Sequence, residues 1–207
     1  MIPRDIQYDP ISYWISETDN VPSIKNDFEN SEAHKSHLRN ISLLLEPFID
    51  EIESVFEIGC GYGRVTKHLL KLLRKVRLYR AIDISPFKIA KAAEYIPLES
   101  HADILKLSES NFIQWPVAKG NFDLVIATEV LMHQLPNEIM IWIRKMNSIS
   151  RNYILNIDYF EEAPTLRLAS HNFLYDYTNL YRALIPNCDV VSKKIDSVPQ
   201  RIYLVIK

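Results

Sequence analysis

Apolar residues along the chain fall into two kinds of pattern. Val55–Ile58, Leu78–Ile84, Leu124–Ala127 and Tyr153–Ile157 are short, nearly continuous apolar runs and read as buried strands. Ala102–Leu107 alternates weakly and reads as a further strand. Asp189–Ile195 and Arg201–Ile206 alternate apolar and polar on either side of Val198-Pro199, the pattern of an antiparallel hairpin. Between these runs the spacing becomes helical. Leu38, Ile41, Leu44, Leu45 and Phe48 form a stripe that starts after Ser31 and Glu32 and ends near Pro47. Thr66–Lys75, Pro86–Ile96, Asn137–Ser148 and 178–184 are predicted helices, with Leu69, Leu70, Leu72 and Leu73, and later Ile139, Ile143 and Met146, turned inward. No internal repeat or low-complexity segment interrupts this order.

Residues 1 to about 30 have no such period and are expected to be irregular. They carry Pro3, Pro10 and Pro22 together with Tyr8, Tyr13 and Trp14. Disordered segments are poor in aromatic rings, so this arm is expected to pack on the domain. It either covers an edge of the core or forms a lid over a bound ligand.

Three of the four glycines, Gly59, Gly61 and Gly63, stand two apart directly after the Val55–Ile58 run. That concentration marks a backbone that turns sharply and lets a ligand come close. Strand, glycine turn and helix N-terminus make a cradle for a nucleotide-like ligand. A dinucleotide cradle calls for G-x-G-x-x-G; here the third glycine comes one residue early, and Glu57 stands two before the first. A carboxylate there is awkward for a pyrophosphate and suits an ammonium group. Glu57-Ile-Gly-Cys-Gly-Tyr-Gly63 resembles the first motif, E/D-x-G-x-G-x-G, of the class I S-adenosylmethionine (SAM)-dependent methyltransferases.

The resemblance implies an α/β fold: a doubly wound, mostly parallel seven-stranded sheet with an antiparallel C-terminal hairpin, in a three-layer sandwich. Residues 34–207 would be the methyltransferase domain and 1–33 the arm. It implies SAM as cofactor, with Glu57, Gly59, Cys60, Gly61 and Gly63 around it. Asp83, about 20 residues beyond the glycine loop, is placed to bind a ribose diol, a device common to SAM and NAD sites, with Ile84 beside it. Its alternative is to cap the next helix, a task Ser85-Pro86 can perform. The resemblance places Asn111 where the family has an acidic residue for the adenine amino group, with Phe112 supplying an amide and a wall; Asp103 is the alternative. Upstream, Arg39 could meet the cofactor carboxylate or be solvated.

Phe122-Asp-Leu-Val125 and Glu129-Val-Leu-Met-His133 resemble the family's fourth strand and the turn after it. Thr128 and Glu129 would then face the cofactor and its boundary with the substrate. His133 either points to the methyl acceptor or is a buried structural histidine, and Asp123, at the far end, is expected to be structural. The 170–184 stretch resembles the region before the last helix of small-substrate methyltransferases. His171, Asn172 and Tyr175, with Tyr177, are fit to line an acceptor pocket, to which Tyr13 and Trp14 of the arm would add. His133 and His171 are the candidate general bases.

Charge and composition narrow the function. The 207 residues carry a net charge of -2, with a pI near 6.3 and no basic stripe, so nucleic acid is not an expected partner. Cys60 and Cys188 have no metal-ligand spacing, and no metal is expected. No signal peptide or membrane-length apolar run is visible, so a cytoplasmic location is expected. The reading is a methyltransferase acting on a small-molecule or sugar-like acceptor, O-methylation first, with the oligomeric state open. Protein or nucleic-acid methylation, an NAD-dependent oxidoreductase and a non-catalytic SAM-fold partner are its rivals.

Overall fold

The computed structural model describes residues 8–17, 29–116, 119–160, 171–196 and 198–207. In chain order these form α1 (Pro10–Ser16), α2 (Glu32–Leu45), β1 (Ser54–Ile58), α3 (Arg64–Leu72), β2 (Leu78–Asp83) and α4 (Pro86–Tyr95). There follow β3 (Leu105–Glu109), β4 (Phe122–Thr128), α5 (Ile139–Ile149), β5 (Ser150–Tyr159), α6 (Tyr177–Leu184), β6 (Asp189–Lys194) and β7 (Gln200–Ile206). The seven strands make one sheet in the order β3-β2-β1-β4-β5-β7-β6. β1 pairs in parallel with β2 and β4, and β3 and β5 extend the parallel set. β7 runs antiparallel between β5 and β6. The expected mostly parallel sheet with its reversed hairpin is therefore present.

Strand alternation builds the two faces. Val55, Tyr79, Leu124, Ile126 and Leu155 pack against Ile41 and Leu45 of α2, Leu69 of α3 and Ala92 of α4. The intervening Phe56, Ile58, Val125, Ala127 and Ile154 pack against Ile143 and Met146 of α5 and Tyr177 and Tyr181 of α6. Full burial of an aliphatic or aromatic side chain is worth roughly 1.5–3 kcal/mol, so this double core fixes the register of every strand. Order reverses at β1 and β4, where the sheet continues to β2 on one side and β5 on the other. In such sheets the crevice outside the strands' carboxyl ends is where ligands bind.

Two expectations change, and the expected start of α2 after Ser31 holds. The N-terminal arm is not irregular throughout: Asp9 accepts hydrogen bonds from the backbone of Ile11 and Ser12, and Pro10 takes the first helical position, which together start α1. Strand β3 starts three residues later than the apolar alternation suggests. The 101–104 segment is a turn in which the His101 carbonyl accepts from Ile104 and Leu105, and pairing with β2 begins at Tyr79 and Leu105. α2 begins at Glu32 behind Ser31, whose hydroxyl caps it, so the last residues of the proposed arm form its first turn. Pro3, Pro22 and residues 161–170 lie outside the described residues.

Candidate active site

β1 ends at Ile58, and the chain turns through Gly59, Gly61 and Gly63, all with positive φ. Gly59 is required by close approach: a Cβ there would lie 2.4 Å from Val130 Cγ2, so the loop presses against the turn that follows β4. Gly61, with φ +53, faces open space. Gly63 is required by packing rather than ligand contact, since its Cβ would meet Ile96 Cδ1 at 2.6 Å. The loop is also held by hydrogen bonds. Cys60 N donates to Ile82 O at 2.9 Å and Gly61 N to Asp83 Oδ2 at 2.8 Å. Asp83 Oδ1 accepts from Ser85 N at 2.9 Å, while the Ser85 hydroxyl caps α4. Asp83 thus orders the loop and leaves the cap to Ser85.

Beside this loop lies a cavity of about 430 Å³, within the usual range of small-molecule sites. Gly59, Cys60, Gly61, Asp83, Ile84, Asn111, Phe112, Thr128 and Glu129 all line it, as do Trp14, His133, His171 and Asn172. The sequence-predicted set is thus largely brought together from β1, β2, β4 and three loops.

Five of the predicted residues lie off the cavity wall, as do two alternatives; one of the five, Tyr177, is fully buried as the first residue of α6. Glu57 is buried behind the loop, its Oε2 accepting from Thr66 Oγ1 and Tyr79 Oη at 2.6 Å each. Burial pushes its carboxyl up to about 7 against the pull of those two bonds. Oε2 supports the loop from below, while Oε1 is buried without a partner. Gly63 joins α3 to α4, as described. Tyr13 stands behind the wall, stacked on His171 with ring centroids 4.6 Å apart. Tyr175 donates to Gln134 O at 2.6 Å and braces the β4 turn. Asp103 precedes β3, at the end of the sheet away from the cavity, which leaves Asn111 as the residue at the site. Asn111 Oδ1 accepts from Ile113 N at 2.8 Å and so shapes the turn that presents Phe112.

The sequence reading missed Arg64, which opens α3 and lines the cavity. Its Nη2 lies 3.3 Å from Glu129 Oε2, while Nη1 is buried without a partner. A signal was available. A cation in the first turn of a helix opposes the helix dipole, so its position there calls for another reason. Lys88 is a second first-turn cation on the cavity wall, above the Trp14 ring at 4.2 Å. Arg39, the cation anticipated from sequence, lies against Ser36 and is not on the wall. Glu129 sits at φ 59, its backbone N bonded to Ile157 O at 2.7 Å. Burial would raise its carboxyl, but Arg64, His37 and the Gln200 amide hold it below the usual range.

The opposite wall is aromatic. Trp14 packs on His133 at 4.6 Å between centroids, and His133 lies 5.3 Å from His171. His133 Nδ1 is 3.2 Å from the His171 carbonyl oxygen. A carbonyl only accepts, so Nδ1 carries the proton and Nε2 the lone pair. Burial pushes the His133 imidazole down to about 4 and lowers that of His171. Buried Asp158 holds the turn beneath: its Oδ1 accepts from Met132 N at 3.2 Å, and burial raises its carboxyl to about 8. Among the described residues no group of His, Cys, Asp and Glu is arranged to hold a metal ion, and no helix is long and apolar enough to cross a membrane. Cys60 and Cys188 are free thiols.

Residues 56–152 match the model of a family described as a methyltransferase domain. No curated protein matches the chain in sequence. Among solved structures, magnesium protoporphyrin IX methyltransferase from Synechocystis PCC 6803, crystallised with SAM, superposes with a TM-score of 0.70. It is 16% identical and covers 97% of this chain and 98% of its own. The N-methyltransferase NodS from Bradyrhizobium japonicum WM9 gives 0.71 at 14% identity, over 95% and 96% of the two chains. The 1,6-didemethyltoxoflavin-N1-methyltransferase from Burkholderia thailandensis gives 0.69 at 16%, over 98% and 92%. The matched segment is similar to a methyltransferase domain, and the fold around it is that of the class I SAM-dependent methyltransferases.

Proposed function

We propose that the protein transfers the methyl group of SAM to a small-molecule acceptor. The observation that carries this reading is the cavity beside the glycine loop, which joins Gly61, Asp83 and Asn111 to a buried, partnerless guanidinium nitrogen on Arg64. The residues fit SAM. Asp83 is placed for the ribose hydroxyls and Asn111 with Phe112 for the adenine. Arg64 Nη1 calls for an anion, which the cofactor's carboxylate supplies, and the adjoining Glu129 carboxylate suits its ammonium. Bound SAM brings a methyl group on a sulfonium, a carbon that already has its leaving group attached.

The protein's remaining work is to hold the acceptor in line and exclude water. For an oxygen acceptor, a proton must leave. His133 is a poor sink: taking it from a phenol of pKa ~10 onto an imidazole near 4 costs ~8 kcal/mol. We assign His133 Nε2 to orienting the acceptor, and the part-exposed His171 to relaying the proton toward solvent. The lowered basicity of both rings favours a second reading, a nitrogen acceptor whose lone pair is free before it attacks. A pH–rate profile separates the two: an O-acceptor gives a basic limb, and an unprotonated N-acceptor is flat above its own pKa.

Calorimetric titration with SAM, S-adenosylhomocysteine and NAD tests the assignment. Micromolar binding of the first two, lost in Asp83→Ala and Gly61→Arg, is the expected outcome. Binding of NAD alone would sink it.

A further inference from the structure

The acceptor side of the cavity has a chemistry of its own, and reading it rests on the methyltransferase assignment above. Three observations converge. The wall is built of flat rings: Trp14 against His133, and His133 against His171, with Tyr13 stacked behind. Of the charged groups on the wall, Arg64 pairs with Glu129 at 3.3 Å, and the Lys88 ammonium lies over the Trp14 ring at 4.2 Å. Finally, Asn172 lines the cavity with only 7% of its surface exposed, and its Oδ1 is buried with no hydrogen-bond partner. The segment that carries it is fixed in place, since Phe173 N donates to Met132 O at 2.7 Å.

Each feature excludes something. A cationic acceptor would be desolvated among neutral rings with the Lys88 ammonium as its charged neighbour. A sugar presents several hydroxyls that need partners on every edge, and a wall of ring faces offers few. A flat ring system gains from offset or edge contacts with Trp14 and the two imidazoles. A buried carbonyl oxygen left unpaired costs about 1–3 kcal/mol, which a donor on the ligand recovers. We propose that the acceptor is an uncharged, planar aromatic molecule bearing an O–H or N–H donor on its edge, stacked against Trp14, His133 and His171 with that donor on Asn172 Oδ1.

The test uses the full chain saturated with S-adenosylhomocysteine, titrated with 2-naphthol, 2-methoxynaphthalene, 2-naphthoate and methyl glucoside. Saturation is first verified by calorimetry. Failure of S-adenosylhomocysteine to bind would remove the methyltransferase reading itself, and is thereby distinguished from failure of the acceptor proposal. With the cofactor product bound, 2-naphthol is expected to bind about tenfold more tightly than each of the other three, the donor accounting for ~1.4 kcal/mol. In Asn172→Ala that preference over 2-methoxynaphthalene should shrink to about twofold or less, while S-adenosylhomocysteine binding stays intact as evidence of folding. Equal or tighter binding of the glucoside or the naphthoate overturns the proposal. So does absence of naphthol binding to the loaded protein, or a naphthol preference that survives Asn172→Ala.

Discussion

The two halves of the cavity are built on opposite plans. The glycine-loop half takes its groups from neighbouring strand ends and holds them through backbone hydrogen bonds, as where Gly61 N meets Asp83. Its working groups are charged and set in pairs. The acceptor half takes Trp14, His133 and His171 from three segments far apart in sequence and holds them by ring contact. Its ionisable rings are kept neutral by burial. A cofactor with fixed charges and hydroxyls needs fixed partners, which the sheet supplies. An acceptor can change with the loops, leaving the sheet unchanged.

The largest effect should come from breaking the first half at its open glycine. Gly61 lines the cavity and has no atom within 4 Å of a built Cβ, so Gly61→Arg sends its side chain into open space without meeting the core, at a backbone cost of about 1–2 kcal/mol for a side chain at φ +53. We expect SAM affinity to drop about a thousandfold, ~4 kcal/mol, in a calorimetric titration, with the folded protein preserved by circular dichroism. Gly59→Ala is a contrasting case: its Cβ meets Val130 at 2.4 Å, so it should lower the melting temperature as well.

The two halves also pull stability in opposite directions with pH. Glu57, behind the glycine loop, is raised from 4.5 to about 7. Its contribution is fully present below pH 4.5 and lost as pH rises through 7, an upper limit of ~3 kcal/mol. His133 is lowered from 6.5 to about 4. Its contribution is present above pH 6.5 and lost as pH falls through 4, again up to ~3 kcal/mol. The two windows overlap between about pH 4.5 and 6.5, where the slopes oppose; in a stability–pH curve measured by urea unfolding, Glu57→Gln should therefore leave stability rising with pH across that range, and His133→Phe leave it falling. A wild-type curve unchanged between pH 5 and 8 by either substitution would refute this pairing.

Arg64 sharpens the comparison by a specificity ratio instead of a bare affinity. Intact SAM should bind about 30-fold more tightly than decarboxylated SAM, since a charge-assisted pair with a buried guanidinium is worth ~2 kcal/mol. In Arg64→Gln the ratio should fall to about threefold or less. Because both ligands see the same variant, any general destabilisation cancels.

This contrast also explains what was legible in the sequence. Gly59, Gly61, Asp83, Thr128 and Glu129 lie at strand ends, and the nearly continuous apolar runs that stop there mark strand ends directly. Glu57 was visible as a carboxylate, but its direction was not. Strand alternation sends it to the face beneath α3, where Thr66 and Tyr79 take it up. Arg64 directly follows the motif's last glycine and has no place in its pattern, although its position in a first helical turn is a usable sign. In the acceptor half, His133 and His171 were found as residue types. Their mutual contact was not, because it depends on how 171–175 returns to the β4 turn. The start of β3 was missed because Ala102 and Ile104 continue the alternation of Leu105–Leu107 backward into a turn that the His101 carbonyl closes.

Trp14 decides whether α1 belongs to one half or both. It touches Lys88 on the loop side and His133 on the other. If α1 is wall for the acceptor only, Trp14→Ala should weaken 2-naphthol binding about tenfold and leave S-adenosylhomocysteine affinity within about twofold. A fall in both affinities would make α1 a lid over the whole cavity.

The smallest effect is expected at Asn111, where the chain departs from the acidic residue of similar methyltransferases. Its Oδ1 already accepts from Ile113 N, so it both shapes the turn and is the oxygen facing the cavity. Asn111→Asp keeps that oxygen and adds a charge at a part-exposed position, where water screens it. The adenine amino group is a neutral donor and gains little from the added charge. SAM affinity should then change by less than about threefold, below ~0.7 kcal/mol. Asn111→Ala removes the oxygen and the turn together and should cost several times more. The two substitutions separate shape from charge: a large gain with Asp would mean that the adenine is read by charge, and no loss with Ala would place the adenine contact elsewhere along the Ser110–Phe112 edge.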